Sequence, residues 1–160
     1  MDANVARAVR ELLETEHVLS LAVLADDEPV AALLPYALGE NYATLLVHAS
    51  GLARHTRGLV DGASVGVLIH EPATPDIDPM QVPRLTAQAT VKVVPRESDA
   101  FALFSRRLVA RFPAAATTLA LGDFVLCRLV LGRGRYVRGF AQATNIGPEG
   151  FEELGPAPAV

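Results

Sequence analysis

The chain of 160 residues contains one cysteine, Cys127, and one lysine, Lys92. A single cysteine excludes a disulfide framework and any zinc site built on thiolates. Cys127 lies in the apolar run Phe124-Val125-Leu126-Cys127 and reads as a small buried hydrophobe. With so little lysine, an anion site must use Arg, His, Ser, Thr or backbone N–H groups. No apolar run has the length of a membrane span. Met1-Asp2-Ala3-Asn4 leads into a charged amphipathic segment and lacks the basic and apolar regions of a signal peptide, so a cytoplasmic location is expected. The formal net charge is −4, and no stretch is basic enough to serve as a nucleic-acid footprint.

Several chemical signatures are missing as well. His17, His48, His55 and His70 show no His-x-x-x-His spacing, so no metal site is expected. There is no Gly-x-Ser-x-Gly elbow and no Walker loop, and Gly132-Arg133-Gly134 lacks the strand–turn–helix context of a dinucleotide fingerprint. Ser50 has His55 nearby but no third group to complete a hydrolytic triad.

What remains is 51% hydrophobic and 20% charged, ample for one core and one domain. Residues 1–146 read as that domain and residues 147–160 as a flexible tail. Val5, Val9, Leu12 and Leu13 recur at helical spacing over residues 3 to 15. Residues 17 to 24 and 30 to 36 form a hairpin across Asp26-Asp27-Glu28-Pro29. A third strand covers 43 to 48, a short helix 50 to 60, and a fourth strand 64 to 70. Residues 71 to 83 carry four prolines and three acidic residues, which mark a connecting loop. From Arg84 to Val94 polar and apolar residues alternate, as in a half-buried strand. Phe101, Phe104, Leu108 and Phe112 line one face of a helix over 97 to 111, and a short helical piece follows. Residues 124 to 131 and 135 to 140 read as two strands joined by a tight Gly132-Arg133-Gly134 hairpin. Every strand connection can be antiparallel. The order therefore predicts a mainly β protein with peripheral helices, an antiparallel barrel rather than a doubly wound sheet.

The segment from Ser50 to Leu59 is the richest in donors. Ser50 is placed as an N-cap, and free N–H groups at a helix start attract anions. At about 100° per residue, Leu52 and Leu59 define an inward face, with Thr56 near it and His55 beside it. Arg54 and Arg57 point outward. Such a turn could grip a phosphate, or it could be a surface helix with a capping serine. Arg84, Thr86 and Gln88 form a second row of donors on one face of a strand, a binding surface or an ordinary solvated face.

Several segments, in order, resemble the FMN-binding split-barrel superfamily, in its pyridoxamine 5′-phosphate oxidase-like, haem-utilisation-related branch. They are Ala32-Leu33-Leu34-Pro35-Tyr36-Ala37, Ser50 to Leu59, Asp78-Pro79 with Pro83-Arg84-Leu85-Thr86, Arg111-Phe112-Pro113, Asp123 to Leu129, and Gly139-Phe140-Ala141-Gln142-Ala143. The resemblance covers residues 15 to 146. It implies a six-stranded antiparallel split β-barrel and a homodimer with FMN at the interface. Carried over residue by residue, Ser50, His55, Thr56 and Arg57 would hold the phosphate, and Arg84 and Thr86 would lie near the flavin. Ala32, Leu33 and Leu34 would run along its ring, and the Gly139-Phe140 turn would sit near the partner's site. The implied function is an FMN-dependent oxidoreductase acting on a small molecule. The alternatives are a haem-binding or haem-degrading protein on the same fold, a non-catalytic flavin sensor, and a deazaflavin-dependent reductase. The chain departs from the oxidases at Arg54-His55, where they carry Arg-Lys, and has no histidine after His70.

Overall fold

The structure is a computed structural model and describes residues 1–139 and 142–159. Seven strands form one antiparallel sheet: β1 (Val18–Ala25), β2 (Glu28–Leu38), β3 (Thr44–Ser50), β4 (Ser64–His70), β5 (Arg84–Val93), β6 (Phe124–Gly139) and β7 (Gln142–Ile146). Their order is β3-β2-β1-β4-β5-β6-β7, and β3 also pairs with β6. That extra ladder closes a six-stranded antiparallel barrel, with β7 as a flap on its edge. The split barrel expected from the resemblance is the observed fold.

Local chemistry explains the parts. Asp26 and Asp27 have φ of 56° and 61°, and Ala25 pairs with Glu28. This is a two-residue hairpin whose turn matches the twist of the strands. Alternation along β1 sends Leu19, Leu21 and Val23 inward, where they meet Val65, Val67 and Ile69 of β4 and Leu85, Ala87, Ala89 and Val91 of β5. Helix α1 (Ala3–Thr15) begins at Asp2, whose carboxylate accepts from the N–H groups of Asn4 and Val5. Its Val9, Leu12 and Leu13 join the barrel core, and the Tyr36 hydroxyl donates to the Leu13 carbonyl at 2.9 Å.

Helix α2 (Asp99–Arg111) and α3 (Ala115–Ala120) cover a second core. There Phe104, Leu108, Ala115 and Leu119 meet Ala37, Leu46 and Leu126 from the outer faces of β2, β3 and β6. Half of the barrel exterior is therefore covered by helices. The exterior of β1, β4 and β5 is not, and this asymmetry positions the site.

Three expectations are corrected. Residues 124 to 139 form one strand, not two joined by a hairpin. Gly134 serves packing rather than reversal: a β-carbon there would lie 2.9 Å from the Thr86 carbonyl oxygen and 2.9 Å from the Phe151 ring. The β5–β6 register shifts nearby, between Ala87 and Ala89. The segment from Gly147, expected to be loose, forms α4 (Pro148–Glu152) and buries Phe151 and Leu154 in the barrel core. The helix expected over 50 to 60 shrinks to a 3-10 turn, Arg54–Gly58. Of the turn expected beside a partner's site, Phe140 and Ala141 lie outside the described residues.

Candidate functional site

On the uncovered face, side chains facing out of β1 and β2 are small or apolar, and β1 has no charged residue. Ala22 of β1 pairs with Ala31 of β2 on one side and with Gly66 of β4 on the other. Three adjacent strands thus place very small residues side by side. They form the floor of an open trough of about 580 Å³, which Leu68, Thr86, Gln88, Arg133 and Arg135 also line. A volume of a few hundred Å³ suits a small-molecule ligand. Gly66 keeps the floor low, since its missing β-carbon would lie 3.4 Å from that of Ala22.

The trough has two chemical sides. Towards β1 and β2 it is uncharged, and Leu33 and Leu24 beyond it are 67% and 64% exposed. Towards β6 it carries two guanidinium groups. Arg135 donates to Asn145 Oδ1 at 3.1 Å, while Arg133 makes no ion pair or side-chain hydrogen bond among the described residues. The Thr86 hydroxyl donates to the Arg135 carbonyl at 3.4 Å. Arg135 also borders a second hollow of about 330 Å³, lined by Met80, Arg84 and Val137. An apolar floor with cations along one edge suits a flat, largely apolar molecule bearing carboxylates on one side.

The residues expected to hold a phosphate are engaged elsewhere. The Ser50 hydroxyl donates to Asp123 Oδ2 at 2.9 Å and accepts from the Leu52 N–H at 3.2 Å. The Thr56 hydroxyl donates to the Ser50 carbonyl at 2.6 Å. Arg57 pairs with Asp26 at 2.8 Å, and Arg54 with Glu28. The two arginines of this turn thus tie it to the β1–β2 hairpin, and the Asp123 carboxylate beside Ser50 opposes an anion. Gly58 permits the docking, because a β-carbon there would lie 2.2 Å from the Leu24 carbonyl oxygen. His55 is the exception: its Nε2 is buried without a partner, and burial lowers its pKa. The helical wheel fails here because a 3-10 turn advances three residues per turn. Leu59 is buried as expected, but Leu52 precedes the turn and is 90% exposed.

The other expected residues divide by strand parity. Leu33 and Thr86 face out, Thr86 into the trough. Ala32 and Leu34 pack against the barrel core instead. Arg84 bends back onto the preceding loop, donating to the Val82 carbonyl at 3.0 Å and the Met80 carbonyl at 3.4 Å. Missed by sequence reasoning were Ala22, Ala31, Gly66, Arg133 and Arg135. The three small residues lie on different strands, and Arg133 was hidden inside the supposed hairpin. No group of three or more metal-ligating side chains occurs among the described residues. No helix among them is long and apolar enough to cross a membrane.

No protein-family model matches the chain. Among curated proteins it is 29% identical over 141 residues to the haem oxygenase HutZ of Vibrio cholerae serotype O1, which covers 86% of this chain and 78% of that protein. A crystal structure of HutZ, described as the haem storage protein of Vibrio cholerae, aligns with TM-score 0.70 and 26% identity over 78% of this chain and 88% of that one. A haem-binding protein from Mycobacterium smegmatis aligns with TM-score 0.82 and 22% identity over 96% of this chain, which spans 62% of that protein's length. A Clostridium acetobutylicum protein related to general stress protein 26, of the pyridoxinephosphate oxidase family, shares the fold with TM-score 0.68 at 10% identity, over 97% of this chain and 100% of that one. The expectation of FMN is corrected by these relatives: the similar proteins named for a ligand are named for haem. In the structure Ser50, Thr56, Arg54 and Arg57 each have a partner within the chain, and the Asp123 carboxylate stands beside Ser50.

Proposed function

We propose that this chain, a split-barrel protein of the pyridoxamine 5′-phosphate oxidase-like superfamily on its haem-utilisation branch, binds haem on the bare face of its barrel. The observation that carries the reading is the trough, with its floor of Ala22, Ala31 and Gly66 and its cationic edge of Arg133 and Arg135. The residues present fit the group. The small floor admits a flat macrocycle against the sheet, burying apolar surface worth roughly 25 cal/mol per Å². Arg133 and Arg135 supply the forked donors that carboxylates prefer, and Gln88 adds a neutral one.

Bound haem would supply iron-centred oxygen or electron chemistry, while the protein supplies orientation and shielding from water. The name of the Vibrio relative adds haem breakdown, an activity read by loss of the Soret band on adding oxygen and a reductant. A second copy of the chain is the proposed cover for the exposed Leu24 and Leu33, which continue the trough's apolar side. Such a homodimer would narrow the trough and remove a haem lodged there from solvent.

The test is a titration of the apo-protein with ferric haem. A Soret band saturating at one haem per chain supports the reading. A band that rises without saturation, as for haem in buffer, rejects it.

A further inference from the structure

A separate hollow of about 350 Å³, sharing no lining residue with the trough, opens where the second half of α1, the segment after β4 and strand β6 meet. Ala8, Leu12 and Pro72 give it apolar surface, and Glu11, Glu16 and Glu71 give it three carboxylates. None of these carboxylates takes part in an ion pair or side-chain hydrogen bond among the described residues. Arg111 reaches Glu16 but donates to its backbone carbonyl.

Tyr136 enters the same hollow from β6. Its ring belongs to the barrel core, and the residue is only 3% exposed. Its hydroxyl makes no hydrogen bond among the described residues. The other two tyrosines are satisfied: the Tyr36 hydroxyl donates to the Leu13 carbonyl and the Tyr42 hydroxyl to the Glu14 carboxylate. A polar group on so buried a side chain normally has a partner. Burial and the charge of Glu71 raise the Tyr136 pKa, Arg138 opposes them from outside the lining, and Glu11 adds to the rise. The phenol therefore stays neutral, able to accept a hydrogen bond from a cation and to donate one to a carboxylate.

No three metal-ligating side chains among the described residues are grouped closely enough to hold a metal ion. Separated carboxylates beside apolar surface instead suit a ligand whose cationic groups are themselves separated by methylenes. We propose that this hollow binds an aliphatic amine with two or more ammonium groups, which pair with Glu11, Glu71 and the Tyr136 hydroxyl while the methylenes cover Leu12 and Pro72. The site is independent of the haem reading above.

The test is a calorimetric titration of the full chain with spermidine at low salt, beside Glu71→Gln, Tyr136→Phe and Glu97→Gln. Glu97 is exposed and lies outside the hollow, so Glu97→Gln makes the same change in net charge without touching the site. Wild type and Glu97→Gln are expected to saturate at one spermidine per chain with equal affinity. Glu71→Gln removes a charge-assisted hydrogen bond and is expected to bind about tenfold more weakly. Tyr136→Phe keeps the ring in the core and is expected to lose about threefold or more. Butylamine, with a single ammonium group, is expected to bind at least about tenfold more weakly than spermidine. The assignment is overturned by a wild-type chain that gives no saturable heat, by equal losses in Glu97→Gln and Glu71→Gln, by unchanged affinity in both Glu71→Gln and Tyr136→Phe, or by butylamine binding as tightly as spermidine.

Discussion

His48 Nε2 lies 2.8 Å from Thr118 Oγ1, and the Thr118 hydroxyl itself donates to the Ala115 carbonyl at 3.2 Å. The hydroxyl therefore accepts from His48, whose Nε2 carries the proton. Nδ1 is left buried without a partner. Burial holds the imidazole pKa below its ordinary 6.5, and the same cause acts on His55. Below about pH 6.5 the unfolded chain takes up protons that the folded chain refuses, so stability falls as the pH drops through that window. Urea midpoints are expected to decrease from about pH 7.5 to about pH 5. His48→Gln, which keeps a donor for Thr118 but does not titrate, reduces that decrease. An unchanged slope contradicts the neutral, buried state.

The trough floor makes a steric prediction. Ala22→Phe places a ring over Ala31 and Gly66, the two cross-strand partners of Ala22. Residue 22 faces solvent, so the barrel core is untouched and the far-UV spectrum is expected to stay the same. Haem affinity is expected to drop by about tenfold or more, the equivalent of some 1.4 kcal/mol of lost contact. Wild-type affinity in this variant would place the ligand elsewhere.

The cationic edge makes an electrostatic one. Hydrogen bonds to charged groups contribute about 1.5–3 kcal/mol each. Arg133 has no competing partner among the described residues, so Arg133→Ala is expected to weaken protoporphyrin IX binding about tenfold. The dimethyl ester, which lacks both carboxylates, is expected to bind wild type and variant alike. Equal losses for acid and ester would assign Arg133 a packing role instead.

The exposed leucines make the third test of the face. Leu33→Asp puts a carboxylate at the centre of the proposed subunit contact, where an unpaired buried charge is strongly unfavourable. Sedimentation is expected to show a dimer for the wild-type chain and a monomer for the variant.

Much of the barrel was legible because one strand's alternation reports one strand's burial. Leu19, Leu21 and Val23 of β1 and Leu85 to Val91 of β5 announce their inward faces locally. The missed features depend on distant contacts. Gly134 reads as a turn residue until Phe151, far along the chain, is seen against it. Ser50 and Thr56 look like ligand donors because the sequence does not show Asp123 approaching Ser50. The trough is defined by what Ala22, Ala31 and Gly66 lack, on three strands whose register only the folded sheet reveals.

The most direct test of haem seated on the bare sheet face is a ¹H–¹⁵N spectrum of the chain loaded with ferric haem, read against the apo-protein. Paramagnetic broadening is expected to centre on the amides of Ser20, Ala22, Gly66 and Thr86. Broadening centred instead on residues 50 to 59, or on α2, would contradict the account.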